Sequence, residues 1–143
     1  MKRNAIIAIG GIFGAIARYE VKTASFFGEG WQFPIQTFLT NLLGCFLIAI
    51  VLTAAFEYLI MSTNLRLGIA TGFLGAFTTF STMCKEIYFL ITLNQCKLSI
   101  LYGMASLFFG YIAVYLGVIL TRFLMERLFN KESHCILKER DRS

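Results

Sequence analysis

Charged side chains are absent from Gly30 to Phe56, a run of 27 residues, and again from Leu98 to Thr121, a run of 24. A helix needs about 20 mostly apolar residues to cross the hydrocarbon core of a bilayer, so each run is long enough for a full span. Leu67 to Cys84 supplies 18 more uncharged residues, and Asn4 to Ala17 supplies 14 that can be lengthened through Tyr19. The count is four spans. Ten of the 21 charged residues crowd between Arg122 and Ser143, which leaves 11 for everything before them. With 57% apolar residues and a mean hydropathy of +0.71, that body lacks the polar cover of a water-soluble domain. The runs are rich in Ile, Leu and Phe and lack the period-2 alternation of a barrel strand. An all-α integral membrane protein is expected, with four helices over residues 1–127 and a polar tail over 128–143.

The first span has a competing reading, since Lys2-Arg3, an apolar stretch and Ala15-Ile16-Ala17 have the layout of a cleavable signal peptide. Cleavage there would leave Arg18 at a new terminus, and the segment is taken as the first helix. Four spans put both termini on one side. That side then holds nine basic residues (Lys2, Arg3, Arg66 and six from Arg122 onward) against Arg18, Lys22, Lys85 and Lys97 opposite. Without those six the count is three against four, which gives almost no orientation bias. Such a core can insert both ways. The net charge of +5 does not indicate nucleic-acid binding, because the basic residues sit at loop ends and in a mixed-sign tail.

No two of Cys45, Cys84, Cys96 and Cys135 have metal or redox spacing, and they read as small packing residues. His134 beside Cys135 is too small a ligand set for a metal. No triad, carboxylate pair or phosphate loop is present, so the sequence offers no enzyme chemistry. The informative residues are polar groups inside the spans, which are costly in lipid and mark a pathway or an interhelical contact. Thr37, Thr40 and Asn41 lie within the second span. Asn41 reads either as glue between helices or as a pore-lining donor. The third span carries Gly72 to Cys84, where two glycines precede four hydroxyl residues in five positions. Ser and Thr can satisfy freed backbone groups, so this is a place for a helix break; the alternative is a packing seam at Gly68-x-x-x-Gly72. In the fourth span Gly103, Ser106, Gly110, Ala113 and Gly117 form a close-approach seam, with Tyr102 and Ser106 adding hydroxyls one turn apart. Gly10-x-x-x-Gly14 is a weaker seam in the first span. Arg18 at that span's end is an interfacial anchor or a cation at a pore mouth.

Three stretches together resemble the bacterial Fluc (CrcB) fluoride channels: Gly10-Gly-Ile-Phe-Gly-Ala-Ile-Ala-Arg18-Tyr19, Thr37-x-x-x-Asn41-x-x-Gly44, and Gly75-Ala-Phe-Thr78-Thr79-Phe80-Ser81-Thr82. The resemblance covers all four spans. It implies a fluoride-selective channel that passively exports fluoride from the cytoplasm, multi-pass in the bacterial cytoplasmic (inner) membrane. It also implies an antiparallel homodimer of dual topology with a broken third helix, two pores and a structural Na+ at the dimer axis. Carried over by motif, the backbone carbonyls of Gly75 and Thr78 of both subunits hold the Na+, and fluoride passes the electropositive ring edge of Phe80. Asn41 donates its amide, Ser81, Thr82, Thr37, Tyr102 and Ser106 supply hydroxyls, and Arg18 concentrates anions in the vestibule.

Two positions depart from the pattern. Met83 stands where the family has a second phenylalanine, and a thioether, weakly negative at sulfur, cannot present the same ring edge. Gly110 stands where a further hydroxyl is common. Two other classes remain to be separated. A small multidrug-resistance-type transporter would need a carboxylate embedded in the first helix, and none precedes Glu20. A non-conducting membrane scaffold would use Asn41 and Ser81 only as glue. Glu57 and Glu86 are read as lying near span ends, with Glu86 capping a helix or pairing with Lys85 or Arg18.

Overall fold

The structure, a computed structural model, describes residues 2–23, 33–58 and 61–140, apart from the side chains of residue 2 and residues 129–140. The His134–Cys135 pair and most tail charges therefore lie outside the described residues. Every regular element among those described is helical. Helix α1 spans Lys2–Thr23 and α2 spans Ile35–Thr53, widening into a π turn at Ala54–Tyr58. Helix α3 starts as Thr63–Leu67, continues as a π-helical stretch Gly68–Leu74 and closes with the turn Gly75–Phe77. Helix α4 is Phe80–Thr92 and α5 is Cys96–Arg140. Four stretches are long and apolar enough to cross a membrane: Arg3–Thr23, Ile35–Tyr58, Thr63–Thr92 and Cys96–Leu128. The chain is a multi-pass membrane protein.

Local chemistry sets the boundaries. Pro34, with its fixed φ and no N–H, directly precedes the first helical residue of α2. The Ser62 hydroxyl accepts the Leu65 N–H at the start of α3, and the Thr79 hydroxyl accepts the Thr82 N–H at the start of α4. Between α4 and α5 the chain reverses through Asn94 at φ 59°, a left-handed conformation that Asn tolerates. The third span is longer than the charge gap suggests, since it takes in Arg66, Lys85 and Glu86. Each of the first and last has a partner: the Arg66 guanidinium lies 4.3 Å from the Phe56 ring centroid, and Glu86 is hydrogen-bonded to two other helices. The helical backbone of α5 runs on to Arg140, through residues assigned above to the polar tail.

Helix α1 packs chiefly on the π-helical part of α3, and α2 packs chiefly on α5. The first pairing joins two glycine patterns that look independent in the sequence. A Cβ added to Gly10 would overlap the Gly68 carbonyl, and one added to Gly14 would overlap the Phe73 carbonyl. Backbone meets backbone here, as small residues permit. Against α2, a Cβ on Gly117 would lie 2.8 Å from the Phe46 carbonyl oxygen and 2.9 Å from the Ala49 Cβ. Where α2 ends, Arg122 donates two hydrogen bonds, of 2.6 and 2.8 Å, to Glu57, an exposed pair of little energetic weight. Because every close neighbour of a Gly14 Cβ is Phe73 backbone, with no flexible side chain to yield, Gly14→Val should separate the two helices at a cost of roughly 3 kcal/mol. Loss of a monodisperse peak in detergent, or a strongly lowered melting temperature, would register it.

Candidate functional site

The third span is interrupted at two residues. Thr78 (φ −79°, ψ 156°) and Thr79 (φ −149°, ψ 113°) are extended, between helical turns that end at Phe77 and begin again at Phe80. Backbone groups freed in this way cannot remain unpaired in a membrane. Asn41 of α2 meets both of those on Thr79: its Oδ1 accepts the Thr79 N–H at 2.8 Å, and its Nδ2 donates to the Thr79 carbonyl at 3.1 Å. One turn further along α2, Gly44 leaves the space into which the Thr78 side chain fits. Asn41 thus makes an interhelical contact and still holds one amide N–H in reserve, since Nδ2 carries two.

The clasp redirects donors away from two carbonyls. In a continuous helix the Thr79 N–H would bond the Gly75 carbonyl, but it goes to Asn41. The Thr82 N–H would bond the Thr78 carbonyl, but it goes to Thr79 Oγ1 at 3.2 Å. Gly75 is exposed and Thr78 half-buried on this protomer. Two backbone oxygens without their helical donors are what a hard cation prefers as ligands. No cluster of three His, Cys, Asp or Glu side chains suited to a metal occurs among the described residues.

Cavities flank the clasp, and Thr79 lines both. One, of about 330 Å³, opens where α1 ends and α2 begins, and is lined by Arg18, Lys22, Gln36, Thr37, Thr40 and Thr82 among others. The second, of about 350 Å³, is lined by Asn41, Gly75, Thr78, Phe80, Met83 and Ser106, with Cys45 beside them. Sequence candidates from α1, α2, α4 and α5 therefore line one or other of two cavities that meet at Thr79, whereas Ser81 and Tyr102 line neither. Phe80 projects at the second cavity with 74% of its surface exposed. Both cavities reach the start of α4, where helix N–H groups and the dipole favour negative charge.

Most of the candidate hydroxyls are already engaged. Thr37 donates to Glu86 Oε1 at 2.6 Å and Tyr102 donates to Oε2 at 2.9 Å. Glu86 therefore neither caps a helix nor pairs with Lys85 or Arg18; it ties α4 to α2 and α5. Tyr102 is fully buried, its ring edge-on to Phe33 at 5.2 Å. Ser106 donates to the Tyr102 carbonyl at 2.7 Å, and Thr40 to the Gln36 carbonyl at 2.8 Å, both within their own helices. Thr79 Oγ1 donates to Thr82 Oγ1 at 2.9 Å and lies 3.3 Å from Ser81 Oγ. Thr79 is the hub of this network and was not among the sequence candidates, although it sits inside the hydroxyl-rich stretch that drew attention to the span. The tie that Glu86 makes to α2 and α5 is hidden in the sequence because a charge ends a span when spans are drawn from uncharged runs.

The fold and site define a protein with four membrane-spanning helices, the third interrupted and clasped by an asparagine between two cavities. Residues 5–118 match the family described as CrcB-like protein, Camphor Resistance (CrcB), and the chain belongs to that family. It is similar to the fluoride-specific ion channel FluC 1 of Moorella thermoacetica, 43% identical over 118 residues that make up 81% of this chain and 83% of that one. A FluC of Synechocystis is 42% identical over 118 residues, covering 81% of this chain and 89% of its own. FluC 1 of Bacillus cereus is 37% identical over 131 residues, covering 90% and 94%.

Proposed function

We propose that this chain is a fluoride-selective channel through which fluoride leaves the bacterial cytoplasm down its gradient, across the cytoplasmic membrane. The observation that carries the reading is the Asn41–Thr79 clasp set between two cavities, one with Arg18 and Lys22 in its lining and the other uncharged, with an amide donor, a helix start and the Phe80 ring beside them. The names of the relatives supply the ion. It is a channel and not an enzyme. Fluoride is small and tightly hydrated, so donors at close quarters can replace its water while larger halides are refused by size.

The functional unit is an antiparallel homodimer of dual topology with two pores. Supporting this are the near absence of orientation bias in the core and the exposed second cavity, whose wall includes Phe80, Gly75 and Thr78. The donor-poor carbonyls of Gly75 and Thr78 from both subunits suit a structural Na+ on the dimer axis, where the interruption serves as the broken third helix of the pore. Sodium would supply a fixed positive charge; the residues of this chain do the orienting.

Fluoride efflux from proteoliposomes, measured against chloride efflux, tests the reading. Rapid fluoride release with retained chloride is expected; release of neither sinks it, and proton-coupled export of organic cations instead would favour a multidrug transporter. In the same assay Met83→Phe should raise fluoride flux severalfold, because a second electropositive ring edge would stand one turn from Phe80 on α4. Equal flux and selectivity would mean that the thioether serves as well as a ring.

A further inference from the structure

The vestibule cavity looks like a ring of hydroxyl ligands, but most of their protons are committed. Thr37 donates to Glu86, Thr40 to the Gln36 carbonyl and Thr79 to Thr82. An incoming anion therefore meets few free hydroxyl donors. What the cavity does offer is charge from α1: Arg18 and Lys22, one turn apart, line it together with Ala15 and Tyr19 on the same helical face. Neither cation makes a hydrogen bond or ion pair among the described residues. Glu20 lies between them in sequence and does not line the cavity. Among the described residues, the carboxylate of Glu86 on α4, bonded to the cavity-lining Thr37, is held by the hydroxyls of α2 and α5.

We propose that Lys22 is a second anion-capture residue, acting with Arg18 to draw fluoride into the vestibule before the Asn41 clasp selects it. The proposal rests on the channel reading and deepens it. Lys22 is exposed, and an ammonium at that position stays hydrated, so it works through the field in the cavity mouth and not as a coordinating ligand. Such a field is screened by salt, while the shape and donors further in are not. Lys22 therefore governs the entry rate at low ionic strength and leaves fluoride-over-chloride selectivity alone.

The test is the initial fluoride efflux rate, below saturation, from proteoliposomes of the full chain and its K22Q, K22R and K97Q variants. Lys97 is also exposed, at the start of α5 on the same side as Arg18, and does not line the cavity, so it reports generic surface charge. Rates are compared at ionic strengths near 0.01 M and 1 M, where the screening length is about 30 and about 3 Å. K22Q should be about two- to fivefold slower at low ionic strength and equal to the native chain at high, with K22R and K97Q native throughout. A native rate for K22Q at low salt overturns the proposal, as does a deficit that persists at high salt or an equal loss in K97Q. A native chain that carries no fluoride overturns the channel reading and this proposal together, whereas a conducting native chain indifferent to K22Q overturns this one alone.

Discussion

Asn41→Ala should leave a chain that carries fluoride at least a hundredfold more slowly and is less stable. The substitution removes two hydrogen bonds at once and leaves the Thr79 N–H and carbonyl without partners inside a membrane-spanning segment. Each buried polar group left unpaired costs about 1–3 kcal/mol, so the interruption at Thr78 and Thr79 loses roughly 2–6 kcal/mol of what holds it open. The permeation loss comes from the missing amide donor and the displaced interruption together: about 2.7 kcal/mol added to the barrier by the two is a hundredfold in rate. Asn41→Asp separates the two duties of the residue. A carboxylate can still accept the Thr79 N–H, but it cannot donate to the Thr79 carbonyl and it places a negative charge on the anion route. The Asp variant should therefore retain more stability than the Ala variant and conduct no better. If Asp conducted at the native rate, Asn41 would be interhelical glue and nothing more. Efflux rates together with melting temperatures in detergent decide between these outcomes.

The same residue indicates how much was legible in the sequence. Polar side chains in an apolar run are conspicuous, so Thr37, Asn41 and the Thr78 to Thr82 stretch stand out without a structure. Their partners are not, because contacts such as Asn41 with Thr79, 38 residues apart, depend on how α2 packs on the third span. Both readings of Asn41 turn out to be compatible, since its carbonyl and one N–H serve the clasp while the second N–H remains. The four spans follow from the spacing of charges, but the third runs to Thr92 because Glu86 finds hydroxyls on α2 and α5. A rule that stops a span at a charge cannot foresee that a carboxylate will be satisfied inside it. Likewise, Gly10-x-x-x-Gly14 and Gly68-x-x-x-Gly72 are visible as small-residue patterns, whereas their meeting face to face is a tertiary fact. The interruption at Thr78 and Thr79 coexists with the Gly68–Leu74 π stretch, so the small-residue seam and the disturbed helix belong to one span.

Phe80→Leu should lower fluoride flux by up to about tenfold while leaving the protomer folded. The ring is 74% exposed on the protomer and lines the second cavity, so its removal empties no core. Leucine restores most of the apolar bulk and removes only the quadrupole, whose positive edge faces an anion without presenting a fixed charge. Directional ring interactions contribute up to about 1.5 kcal/mol beyond area, which corresponds to roughly a tenfold change in rate. In this chain the effect is sharpened by position 83, because Met83 lines the same cavity and its sulfur offers no equivalent edge. The double variant Phe80→Leu, Met83→Phe moves the only ring from one position to the other. It should recover part of the flux if ring edges are what fluoride requires. Recovery to no more than the Phe80→Leu level would mean that position matters as much as ring chemistry, and native flux in Phe80→Leu itself would remove the aromatic station from the route. Chloride release from the same vesicles distinguishes loss of a fluoride station, in which chloride stays excluded, from a widened and unselective pore.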